Sequence, residues 1–306
     1  METVSPLGNE CYRRRHMGAR KDTVRLLFAE WQGGDRPQYS FAPNFLQWLA
    51  PKGPSTEVIR VPVACDFSGD RGVRGGIVWP DALIAQQRAA ARILAERRPR
   101  RVVTFGGDCS VSQAPFDYLH GQYPHDLGIL WIDTHPDITT PAHMDHEHAM
   151  VLGNLLKDGA PELASLVEHP FSHEDVLFVG LRHDQMAPWE LDYVDGRHMA
   201  YVTPEQLERD DSPVLDWVRA HGYGHLAIHF DIDALSPASF LQQYPNNPNE
   251  DFGDVPVGGM TLTQVAGLLA KVAQLADIVG LTIAEFLAWD LISLRENLAR
   301  IDILAR

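Results

Sequence analysis

The chain of 306 residues sets 26 Lys and Arg against 41 Asp and Glu, a formal charge of -15, with 45% apolar and 22% charged residues. This is a globular composition able to build a large core, and its acidic balance argues against nucleic acid or an anionic membrane as a partner. No apolar run approaches the ~20 residues that cross a bilayer, no secretory signal is evident, and Cys11, Cys65 and Cys109 form no CxxC pair or disulfide framework, so a cytoplasmic protein is expected.

Arg13, Arg14, Arg15, Arg20 and Lys21 form a short basic arm, read as solvated or subunit-contacting. From about residue 56 onward, apolar runs too short for helices alternate with helix-like stretches, the pattern of repeated βα units. Strands are predicted at 59–64, 102–105, 127–132, 176–179, 226–230 and 278–283. Pro80 opens a helix with apolar positions at 82, 83, 84, 90, 93 and 94. Further helices are expected at 112–122, 148–157, 214–220 and 262–275. Residues 236–259, rich in Pro, Asn and Gly without periodicity, read as a long surface loop of the kind that borders active sites. The fold class is α/β, with a mostly parallel sheet in one continuous domain.

The strongest chemical signal is Asp133-Thr134-His135-Pro136-Asp137, directly after the buried run 127–132. Residues two apart on an extended segment face the same way, so Asp133 and His135 converge while Asp137 curls back from the loop. Asp231 and Asp233 repeat that spacing after the run 226–230. Each Asp alone is as well explained as a turn former or helix cap. Four carboxylates and an imidazole at one sheet edge, however, repel one another unless cations neutralise them. Such ligation suits two divalent ions, Mn²⁺ among them, able to activate water between them.

Gly106-Gly107-Asp108-Cys109-Ser110, the 133–137 motif, His229-Phe230-Asp231-Ile232-Asp233 and Glu285 occur in the order and spacing of the ureohydrolase family, the arginases and agmatinases, which the chain resembles over roughly residues 60 to 305. The resemblance implies a three-layer α/β/α, arginase-like catalytic domain over 1–306, with 1–55 as arm and leading elements. It also implies a binuclear manganese centre, hydrolysis of a guanidino group to urea and an amine, and a homo-oligomer, trimer or hexamer. By position, Asp133 and Asp231 are the shared metal ligands, Asp137 a ligand of the first ion, and His135 and Asp233 ligands of the second. Asp137, Glu285 and His148 are the candidate catalytic residues. Glu285 would hold the guanidinium and His148 would protonate the departing amine.

The pattern departs at four places. Cys109 stands where the family has a histidine ligand; it either ligates as a thiolate, favouring Zn²⁺ or Fe²⁺, or is a small buried hydrophobe beside a single ion. Thr139, in Asp137-Ile138-Thr139-Thr140-Pro141, replaces an asparagine that grips the substrate carboxylate. Gln185 takes the place of an acidic residue for the substrate amino group, with Asp184 one step away. His229 and Ser236 replace a Ser and an Asp, neither with a required metal role. L-Arginine, free or peptide-embedded, is the expected substrate. Agmatinase, guanidinobutyrase or formiminoglutamase chemistry, or a non-catalytic metal-depleted protein, are the alternatives.

Overall fold

The computed structural model describes residues 22–301 apart from 65, 66, 68, 70, 252 and 254, together with residue 303. The basic arm, Cys11 and Cys65 lie outside these residues. Eight strands make the main sheet: β1 (Thr23–Phe28), β2 (Thr56–Arg60), β3 (Arg101–Gly106), β4 (Leu127–Ile132), β5 (Val176–Val179), β6 (Ala200–Val202), β7 (His225–Asp231) and β8 (Asp277–Ala284). Their spatial order is β2-β1-β3-β8-β7-β4-β5-β6, and every pairing is parallel. The principal helices are α1 (Ala42–Leu49), α2 (Pro80–Arg97), α3 (Gln113–Gln122), α4 (Pro188–Gly196), α5 (Ser212–His221), α6 (Leu262–Val272) and α7 (Trp289–Leu298).

The three layers follow from the two-residue period of strands. Ile129 and Trp131 of β4 pack with Phe116 and Leu119 of α3 and with Ala90 and Leu94 of α2. Leu130 and Ile132, pointing the other way, pack with Val214 and Val218 of α5 and with Val265 and Leu268 of α6. Both faces are covered, which explains why β4 and β5 are buried at every position and read as continuous apolar runs.

The expected strands at 127–132 and 176–179 form with those bounds. The run predicted at 59–64 pairs instead at Thr56–Arg60, and the sheet continues into β1, which pairs with both β2 and β3. The helix expected at 148–157 divides into a 3-10 turn, Glu147–Met150, and a short helix, Val151–Leu155. The start expected at 112 is a 3-10 turn, Cys109–Ser112, whose first amides Asp108 caps by accepting from Ser110 N at 3.1 Å.

Candidate metal centre and active site

Four neighbouring strands, β3, β8, β7 and β4, deliver the site. Ile132 lies beside Phe230 and Ala284 beside Asp231 in the register, so the next residues, Asp133 and Glu285, emerge on either side of Asp231. Beyond β3 the chain passes against Glu30: a Cβ on Gly107 would sit 1.7 Å from the Glu30 carbonyl oxygen, so only glycine lets the turn place Cys109 over the sheet end. Asp137 and Glu285 both hold left-handed backbone, with φ of 49° and 59°. Non-glycine residues adopt it at a cost on the order of 1 kcal/mol, and such strain clusters at functional sites.

The donors fall into three overlapping groups in which one atom per residue lies within 4.8 Å of the others: Cys109, Asp133, Asp137 and His229; Cys109, Asp231 and Glu285; Asp133, His135 and Asp233. His135 Nδ1 is 3.2 Å from Asp233 Oδ2 and 3.6 Å from Asp133 Oδ1. The Cys109 thiol donates to Asp231 Oδ2 at 2.8 Å. Backbone amides orient the first acids: Asp133 Oδ1 accepts from His135 N at 2.7 Å and Asp231 Oδ1 from Asp233 N at 2.6 Å.

The electrostatics are those of a crowded, buried acidic cluster. Burial, followed by the charges of neighbouring carboxylates, pushes Asp137 and Asp231 well above the usual carboxylate range. Burial and the same acids push the Cys109 thiol up. Burial opposes charge on His135, yet Asp233 and Asp133 outweigh it and hold the ring as an imidazolium. Without metal, protons neutralise the cluster; a divalent ion would displace them. Asp137 Oδ2 and Asp233 Oδ1 are buried without any hydrogen-bond partner. Orphaned oxygens among carboxylates, imidazole and thiol fit one or two divalent ions.

Beside the donors opens a cavity of about 350 Å³ lined by Cys109, His135, Asp137, Thr139, His148, Asp231, Asp233 and Glu285. Glu285 is fixed from both sides, accepting from Tyr39 OH at 2.6 Å through Oε2 and meeting His148 Nδ1 at 2.8 Å through Oε1. Burial works against its charge, but His148 and Tyr39 more than compensate and keep it below the usual carboxylate range. His148 moves the other way: burial lowers it, and Glu285 raises it further. Thr139 is buried in the lining, with Oγ1 unpartnered.

The structure thus brings together all six candidate metal ligands, the three candidate catalytic residues and Thr139. Asp184 and Gln185 lie outside the lining: Asp184 is exposed, 3.6 Å from the Arg182 guanidinium. Arg36, Tyr39, Trp189, Glu190 and Tyr244, which the sequence reading passed over, line the cavity in their stead. Glu190 accepts from Ala187 N at 2.8 Å at the start of α4, but with alanine in place of a capping Ser or Thr the sequence carried no signal for it. Tyr39 had none, being 246 residues from its partner. The long loop 236–259 does border the site, through Tyr244 and Val255.

Fold and donor set define the class: a parallel α/β protein with a buried cluster of donors able to hold metal at its strand ends. The chain belongs to the arginase family, whose description, "Arginase family", matches residues 63–288. The arginase of Entamoeba histolytica is 26% identical over 147 residues, 46% of this chain and 49% of that protein. The chain spans about half the length of the first curated relatives it matches. The crystal structure of Entamoeba histolytica arginase with L-ornithine superposes with a TM-score of 0.74 at 17% identity, covering 87% of this chain and 90% of that one. Formimidoylglutamase from Bacillus subtilis superposes at 0.64 and 12% identity, covering 86% and 78%. These superpositions establish the shared fold.

Proposed function

We propose that the chain hydrolyses a guanidino C–N bond to urea and an amine, with L-arginine, free or peptide-embedded, as the first substrate to test. Asp133, Asp137, Asp231, Asp233, His135 and Cys109 would hold two divalent ions, Mn²⁺ in the first instance, which supply Lewis-acid polarisation and an activated water. The observation that carries this reading is Glu285, a buried carboxylate aimed into the same cavity as the donors and held by two side chains.

Charge-assisted hydrogen bonds from a guanidinium to Glu285 orient its carbon toward the donor cluster. His148 holds a proton against Glu285 and would deliver it to the departing amine as the C–N bond breaks, leaving the carbon with its other two nitrogens and water's oxygen as urea beside Glu285. Met144, Trp189 and Val255 give the lining apolar surface for the substrate's aliphatic part. Thr139 offers a hydroxyl to the substrate's far end, and Arg36 and Glu190 offer one charge of each sign, while the roles first read for Asp184 and Gln185 require approach from outside this lining. No helix among the described residues is long and apolar enough to cross a membrane. A cytoplasmic homo-oligomer, trimer or hexamer, acting without nucleic acid or membrane, belongs to the same proposal.

The test is urea release, dependent on added Mn²⁺, from arginine, agmatine, guanidinobutyrate and arginine-containing peptides. Ammonia, formamide or acetate without urea would select amidine or amide hydrolysis, and absence of all products from metal-loaded protein would remove the assignment.

A further inference from the structure

His229 sits two residues before Asp231 on β7 and therefore faces the same side of the sheet, one pleat deeper, in register with Trp131. Its ring is fully buried and stacks on Trp131, ring centres 3.8 Å apart and planes 9° from parallel. Nδ1 is 2.8 Å from Ser112 Oγ. Nε2 has no hydrogen-bond partner, lies 3.6 Å from Asp133 Oδ2, and is within 4.8 Å of donor atoms of Cys109, Asp133 and Asp137.

A buried nitrogen left unpaired costs on the order of 1–3 kcal/mol, so its position calls for a missing partner. A neutral imidazole donates from one nitrogen and accepts at the other. When Nδ1 donates to Ser112, the Nε2 lone pair is left facing the donors. Metal-ligating histidines are held in this way, with the second ring nitrogen engaged outside the metal's own shell. The stack on Trp131 keeps the ring from turning away.

We propose that His229 is a metal ligand, supplying through Nε2 an imidazole for the first ion in place of the one absent at Cys109, with Asp133, Asp137 and Cys109 around it and Ser112 positioning the ring. This rests on the metal-centre reading above and adds a ligand to it. One thiol and one imidazole among carboxylates shift the preference of that ion from Mn²⁺ toward borderline ions such as Zn²⁺ or Fe²⁺.

The test uses the full chain, metal-stripped, labelled with ¹⁵N-histidine and titrated with Zn²⁺, with ring nitrogens followed by NMR and affinities measured by chelator competition. Two histidines should acquire metal-bound ring signals. His229→Ser should remove one and His135→Asn the other. His229→Ser should weaken one ion by more than the roughly 10–100-fold expected for an outer-shell change, and Ser112→Ala by an amount within that range. If His229→Ser retains both metal-bound signals and both affinities, the inference is overturned while the metal centre stands. If Zn²⁺ shifts only His135 in the unaltered protein, His229 merely pairs with Asp133; this result is decisive even if the variants fail to fold. If no ion binds at all, the metal-centre reading falls too.

Discussion

At the amino-terminal ends of the four central strands, acids meet bases in the open. Arg101 at the start of β3 pairs with Asp277 at the start of β8 at 2.6 Å, and His225 of β7 lies 2.8 Å from Asp126 just ahead of β4. Every one of these side chains retains substantial exposure. At the carboxyl ends of the same strands stand Cys109, Glu285, Asp231 and Asp133, all buried, with Asp137 and Asp233 close by. Water and opposite charge balance one rim, whereas the other concentrates negative donors where water cannot screen them. The protein completes its own electrostatics at one end and leaves the other to be completed by a ligand.

The sharpest way to break this contrast is Asp231→Asn. It removes a carboxylate from the centre of the donor cluster and should lower urea formation by more than ~10²-fold with loss of bound metal, measured by kinetics and elemental analysis. Retention of metal and activity would mean that this rim is not a cation site.

Metal removal combined with pH should separate the two ends next. Asp137 and Asp231 have carboxyl values raised in the metal-free fold, so the folded chain holds protons that the unfolded chain has released. Stability from those protons is complete below the unfolded value of ~3.9 and is lost as pH rises through the folded values. Asp133, drawn below the usual range by His135 despite its burial, contributes with the opposite sign, and its share disappears only in acid. Calorimetry of stripped protein should show a melting temperature that falls as pH rises above the unfolded value of ~3.9, and loading with metal should weaken that fall. Equal slopes would show that ions do not replace the protons.

Cys109→His should tighten Mn²⁺ binding roughly tenfold or more, because an imidazole suits that ion better than a thiol does. Unchanged affinity would mean that the position does not contact metal. The smallest effect belongs to the other rim. Asp277→Ala breaks a half-exposed pair with Arg101 and should cost only about 0.2–1 kcal/mol in denaturant unfolding, with metal content unaltered.

Much of the centre was legible because its donors are local in the chain. Asp133, His135 and Asp137 follow a fully buried strand, and Asp231 and Asp233 repeat the spacing, so neighbouring strand ends bring them together, although Asp233 sits in a 3-10 turn and Asp137 in left-handed backbone rather than on an alternating extended segment. The polar lining was less legible. Thr139 falls where a motif counted along the chain puts it, but Asp184 pairs with Arg182 and Gln185 is exposed, both outside the cavity lining, while Trp189 and Glu190, one turn on, take the rim. Loop residues hold their direction through contacts distant in sequence, and small differences in loop path exchange which side chain faces inward.

From sequence alone came the parallel α/β class, the strand-end carboxylates and the negative field that calls for cations, since strand period and charge are properties of short segments. Tertiary structure alone decided that β1 joins the sheet, that Tyr39 grips Glu285, and that the unpaired nitrogen of His229 lies beneath Cys109. Those facts depend on register between strands and on contacts across more than a hundred residues, which only the packed chain specifies.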